Sequence, residues 1–283
     1  MSRNYKYNFA DQVLIHAQRP DASACAEYDV WTGRMGRYVR RGAKGIALLD
    51  YSGDAPLRYV FDVSDTGARK NSRPFEPWQV NSKNTGAVIS AIEARFGVEP
   101  RVSLAEQLEV VAAQLADEYW LDNNGDILGI VDGSFLEGYD EFTVGVKFRN
   151  AAVVSLTHSL LTRCGFDPEN YLTPENFGDV FEWNTPEAVS ALGTAVSSIN
   201  QTVLREIERN IRSYERSRYN DRKHLHEIET AAQSRIDLML PKLAAEAGAT
   251  ESLKAADPLK WTGLMNACKA QAEEVVLNEL IYN

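Results

Sequence analysis

Residues 31–51 read WTGRMGRYVRRGAKGIALLDY. Five positive charges, Arg34, Arg37, Arg40, Arg41 and Lys44, fall within eleven residues with no acid between them. Glycines at Gly33, Gly36, Gly42 and Gly45 punctuate the run, and an apolar stretch, residues 45–49, follows. Residues 37–41 and 44–51 read as two strands of a hairpin that turns at Gly42. The whole chain has a formal net charge of −10, so this basic ribbon stands against its own background. Clustered Lys and Arg beside aromatic rings are what a polyanion-binding surface needs. In that reading the five cations contact phosphates, and Tyr28, Trp31 and Tyr38 are platforms for unpaired bases. An ordinary solvated hairpin with Trp31 in the core fits the same composition. Strand alternation places Arg37 and Val39 on one face and Tyr38 and Arg40 on the other, so not every one of these residues can face one ligand.

Outward from the ribbon, residues 7–17 predict a helix stopped by Pro20, with Phe9, Val13 and Ala17 on one face. Residues 26–31 and 57–63 (LRYVFDV) read as strands, and 65–78 as a turn-rich loop. Residues 85–96 predict a helix that ends at Gly97. This first module, residues 1–100, is therefore α+β. Beyond it, 104–119 predict a helix, Asn123–Asp126 a turn, and 127–131 and 141–148 two short strands. Residues 151–164 predict a buried helix closed by Gly165. From Pro186 the pattern is strongly helical. Val203, Ile207, Ile211 and Tyr214 form one stripe, Pro241 breaks the helix, and a last helix ends near Ile281. The expected architecture is α+β, a small mixed module with a β-hairpin (1–100) followed by a mainly helical module (101–283).

Composition narrows the function classes. Residues 1–101 carry 15 Lys and Arg against 11 Asp and Glu, a balance of +4, and the remainder 15 against 29, or −14. A local basic patch acts independently of the distant acids, because screening limits each charge to roughly 8 Å at physiological salt. No run of eighteen apolar residues suggests a membrane span. The first residues lack the apolar core of a signal peptide. Cys25, Cys164 and Cys268 have no metal-ligand spacing and read as reduced thiols. The expectation is a cytoplasmic protein without cofactor or metal.

Other candidate motifs are weaker. Gly42-Ala43-Lys44-Gly45 lacks the full G-x-x-x-x-G-K-S/T phosphate loop, and a strand follows it rather than a helix. His224-Leu225-His226-Glu227 lacks the second ligand of H-E-x-x-H, and its two histidines fall on different sides of a helix. His158 lies on an apolar helix, where a lone histidine reads as a hydrogen-bonded core residue. The acids Asp122, Asp126, Asp132, Asp140 and Glu141 do not follow the spacing of a calcium loop.

With these residues in view, residues 5–66 resemble the N-terminal domain of ArdC-type antirestriction proteins. The matching segments are YNFADQVLIHAQRP, EYDVWTGRMGRYVRRGAKGIALLD and YVFDVSDT. They carry Trp31, Gly36-Arg37, Val39, Gly42, Lys44-Gly45-Ile46 and Phe61-Asp62. The resemblance implies a single-stranded DNA-binding module of plasmids and conjugative elements. The wording FADQVLIHAQRPDA is similar to very large proteins of Gram-positive conjugative elements. Many relatives carry a zinc peptidase domain after this module, and VVSLTHSLLTRCGFD (153–167) resembles one of its helices. The acid expected there is replaced by Ala151-Ala152-Val153-Val154, and 104–115 has no H-E-x-x-H, so the second module is expected to be an inactive scaffold rather than an enzyme. Two functions are thus carried forward. One is sequence-tolerant single-stranded DNA binding. The other is an acidic protein-interaction or DNA-mimic role, through which the helical module engages host or conjugation proteins.

Overall fold

The computed structural model describes residues 2–50, 56–70, 72 and 74–281. Tyr51, the expected end of the second ribbon strand, lies outside the described residues, as do Asn71 and Arg73 of the expected 65–78 loop. The chain is α+β, with small antiparallel sheets near its start and helices after them.

Helix α1 spans Phe9–Gln18; the Asn8 side chain caps it by accepting the Asp11 N–H at 2.8 Å. Strands β1 (Cys25–Glu27), β3 (Ile46–Leu49) and β4 (Leu57–Asp62) form an antiparallel sheet in the order β1-β4-β3. Strands β2 (Arg37–Val39) and β5 (Thr66–Ala68) form a separate antiparallel pair. Ile15 of α1 packs with Ile46, Leu48 and Val60 in a small core of its own. Gln18 clasps the edge strand beneath it: its side chain donates to the Ala47 carbonyl at 2.8 Å and accepts the Ala47 N–H at 2.9 Å.

The expected ribbon hairpin is not formed. The second ribbon strand pairs with β4 (Ile46↔Val60, Leu49↔Leu57), and the first pairs with β5 (Arg37↔Ala68, Val39↔Thr66). Burial decides the partners. β3 hides Ile46 and Leu48 against α1 and needs Val60 beside them, whereas β2 has no fully buried residue to offer. The hairpin of this module is therefore β3–β4. The expected strand at 26–31 shortens to β1, and part of the expected loop is β5.

Helix α2 (Thr85–Phe96) ends at Gly97, whose φ of 66° is the left-handed cap that the sequence signalled. Neither strand expected at 127–131 and 141–148 forms: helix α3 (Leu104–Leu128) runs into the first segment and is followed by a turn, and helix α4 (Glu141–Cys164) covers the second. Helix α3 runs through the expected turn at 123–126 and buries Ile127. In α4, Val144, Phe148, Ala151 and Ala152 follow helical spacing and are all fully buried. Helix α5 runs Pro186–Glu246 and continues through Pro241, where a break was expected; the turn beyond that proline buries Ala244. Short α6 (Glu251–Ala256) and α7 (Pro258–Ile281) complete the chain.

Two compact units result, Met1–Ser213 and Tyr214–Asn283. The module change expected near residue 100 does not separate compact bodies. One core joins Tyr5, Trp78, Val88 and Ile92 to Leu108 and Val111 of α3, Phe148 and Leu156 of α4, and Val203 and Ile207 of α5. In the second unit, Ala244, Cys268, Ala272 and Val276 are buried, and the Lys254 ammonium sits 4.6 Å from the Trp261 ring. Among the described residues no helix is long and apolar enough to cross a membrane.

Candidate nucleic-acid interface

The junction between β4 and β5 fixes the ribbon. The Asp62 carboxylate accepts the N–H groups of Ser23 (2.7 Å), Ala24 (2.8 Å) and Ser64 (3.0 Å), and the Ser64 hydroxyl at 2.7 Å. Burial alone would raise its pKa, but these hydrogen bonds outweigh it and hold the carboxyl below the usual value. Asp65 is engaged by Arg19. Both carboxylates of this junction are therefore committed away from the ribbon cations. The Arg40 N–H donates to the Asp65 carbonyl at 2.8 Å, which ties the end of β2 to the same junction.

The expected site residues separate into two groups. Trp31 is 2% exposed; its indole N–H donates to the Phe61 carbonyl at 2.9 Å, and its ring meets Phe75 edge-on at 5.7 Å. Trp31 is therefore a core residue and not a stacking platform. A single π-helical turn, Val30–Arg34, closed by the Met35 N–H to the Val30 carbonyl at 3.0 Å, turns this indole inward and leaves Arg34 exposed.

The remaining seven stay accessible. Tyr28 (53% exposed) leans edge-on against Phe61, and Tyr38 (44%) lies across Gly67. A Cβ on Gly67 would fall 2.3 Å from the Tyr38 Cζ, so the ring's resting place needs a glycine there. Arg37 is half-buried, and its Nε donates to the Thr66 hydroxyl at 2.8 Å across the β2–β5 pair. Arg40 is exposed and donates to the Ser64 carbonyl at 3.1 Å. Arg34, Arg41 and Lys44 are exposed. None of these five cations forms an ion pair with a carboxylate among the described residues. By contrast Arg58 of β4 is paired with Asp11 (2.6 Å) and Glu27 (3.2 Å).

Ser64 and Thr66 lie in the segment YVFDVSDT, but sequence reasoning gives them no role; they orient the ribbon by accepting from Arg40 and Arg37. That reasoning also missed a cluster built from distant positions, Arg3, Trp78 and Arg163, which nothing local in sequence connects. His158, expected in the core, is exposed and meets Phe177 edge-on at 5.9 Å. His226 is exposed on α5; the side chain of His224 lies outside the described residues. Among the described residues no three His, Cys, Asp or Glu side chains are grouped to hold a metal ion. Burial pushes the thiols of Cys25 and Cys164 up to about 12, which makes them poor nucleophiles.

The fold and this surface define an α+β protein with an unneutralised basic ribbon on its first compact unit. Residues 218–281 match the family described as transposon-encoded protein TnpV, and this match lies wholly within the second unit. No curated protein and no solved structure matches the chain. The family match supports a mobile-element protein.

Proposed function

We propose that this mobile-element protein binds single-stranded DNA without strong sequence preference, through the ribbon from Arg34 to Lys44. One observation carries the reading: five cations within eleven residues have no carboxylate partner among the described residues, in a chain of net charge −10. Arg34, Arg41 and Lys44 are exposed and make no bond that serves the fold among the described residues, and exposed charge of this kind serves a polyphosphate well. The exposed rings of Tyr28 and Tyr38 favour an unstacked strand over a duplex, because paired bases offer no free face. The resemblance of residues 5–66 to ArdC-type DNA-binding domains points the same way. Binding is then a matter of counterion release and stacking, with no catalytic step. The test is a fluorescence-anisotropy titration of labelled single-stranded and duplex oligonucleotides at two salt concentrations. Equal affinity for both forms would exclude the stacking role.

The −14 balance of residues 102–283 supports a second reading, in which the helical part engages a host defence or conjugation protein as a DNA mimic. A ribbon variant that loses DNA but keeps such a partner in a pull-down separates the two.

A further inference from the structure

A second basic feature lies on the first unit, apart from the ribbon residues. A cleft of about 510 Å³ is lined by the N-terminal segment, the residues around Trp78, the end of α4 and the Glu208 turn of α5. That volume falls in the range of ligand pockets, about 300–1,000 Å³. Four cations line it, Arg3, Lys6, Arg163 and Arg212, against a single carboxylate, Glu208. Glu208 is already saturated: it accepts the Tyr5 hydroxyl at 2.6 Å and pairs with Lys6 at 2.7 Å and Arg212 at 3.1 Å.

Arg163 is left over. Its guanidinium centre lies 3.3 Å from the centroid of the Trp78 ring, and one N–H donates to the Trp78 carbonyl at 3.2 Å. Its other donors have no protein partner among the described residues, and it forms no ion pair there. Burial holds its pKa below the usual arginine value. The carbonyl end of α4 accounts for one cation at this place. It does not account for Arg3 gathering at the same cleft, exposed and without a carboxylate. A stacked, pre-positioned guanidinium with free donors is suited to a phosphate. Phe75 and Pro77 supply an apolar wall beside it, and Phe75 touches Trp31 beneath the ribbon.

We propose that this cleft is a subsite for one nucleoside monophosphate, free or at the end of a DNA strand, with the phosphate held by Arg163 and Arg3. The choice of a nucleotide over other phosphates rests on the DNA-binding reading of the ribbon. The test is isothermal titration of the full chain with deoxyadenosine 5′-monophosphate, deoxyadenosine and inorganic phosphate in turn. The monophosphate should bind at least tenfold more tightly than either of the others. Arg3→Gln and Arg163→Gln should each weaken it at least fivefold, whereas Arg101→Gln, at an exposed cation that lines neither the cleft nor the ribbon, should leave it unchanged. Arg3 is exposed, so its variant reports on the site even if Arg163→Gln misfolds. An oligonucleotide with a 5′-phosphate should outbind its 5′-hydroxyl twin if the strand end is the occupant, and match it if the free nucleotide is. Affinity for deoxyadenosine or inorganic phosphate equal to that for the monophosphate, or an unaffected Arg3→Gln, overturns the assignment. If the ribbon fails to bind oligonucleotides while the monophosphate still binds here, the ribbon reading falls alone; the reverse result removes only this subsite.

Discussion

The indole N–H of Trp31 donates to the backbone carbonyl of Phe61 at 2.9 Å, so the tryptophan inside the basic ribbon is a buried residue held against β4 and not part of the surface. Trp31→Ala should therefore destabilise the fold by about 3–5 kcal/mol, the range for emptying a large buried aromatic site. Tyr28→Ala and Tyr38→Ala should leave the melting temperature nearly unchanged. Each should weaken single-strand binding by about 1–3 kcal/mol, roughly five- to 150-fold. Chemical denaturation beside anisotropy titration separates the two behaviours. A Trp31→Ala protein that is stable yet loses DNA would restore the tryptophan as a platform.

Asp62 gives the fold a pH dependence with a defined sign. Its carboxyl titrates below the usual value in the folded state, because four hydrogen bonds outweigh the opposing effect of burial. The charged form is thus stabilised by folding. That contribution is complete above the unfolded pKa, about 3.9, and is lost as pH falls through the lower folded value. Asp62→Asn should cost about 1.5–3 kcal/mol at pH 7, the scale of a hydrogen bond to a charged group. The gap between variant and parent should shrink below about pH 4. Urea denaturation at pH 7 and pH 3 measures both.

The features readable from the chain were those fixed locally. Gly97 and Gly165 adopt the left-handed cap conformation because glycine alone does so without strain, and each ends its helix where the sequence places it. The charges of the ribbon announced their own exposure. What failed was non-local. Arg37–Val39 pairs with Thr66–Ala68 because Ile46 and Leu48 need Val60 and α1, a preference that no neighbouring residue reports. The segment EFTVGVKF (141–148) alternates like a strand, yet Val144, Phe148, Ala151 and Ala152 make it helical once the α3 face lies beside it. Short apolar runs carry both periods, and tertiary packing chooses between them.

A close approach on α5 offers a stability test away from the ribbon. A Cβ on Gly193 would fall 2.2 Å from the Phe9 Cζ, and Gln12 donates to the Ser197 hydroxyl at 2.8 Å one helical turn further on. The glycine lets α1 lie against α5. Gly193→Val should destabilise by about 1–3 kcal/mol through overpacking. The next residue, Thr194, is exposed and lines a separate hollow with Tyr119, so Thr194→Val should leave stability nearly unchanged and serves as the control. Thermal melts should show the loss for Gly193→Val alone, while the salt dependence of DNA binding stays as in the parent.

The charges of the ribbon should govern binding and leave folding alone. The side chains of Arg41 and Lys44 make no hydrogen bond or ion pair among the described residues, and that of Arg40 makes only a single exposed bond to Ser64. The triple variant Arg40→Glu, Arg41→Glu, Lys44→Glu should hence melt within a few degrees of the parent. With about four or five phosphate contacts, the parent's log K against log salt should fall with a slope of roughly −3 for a single strand. Reversing three of the five cations should abolish measurable binding at physiological salt and flatten that slope toward zero at low salt. Full retained affinity in this variant would place the DNA site elsewhere on the molecule.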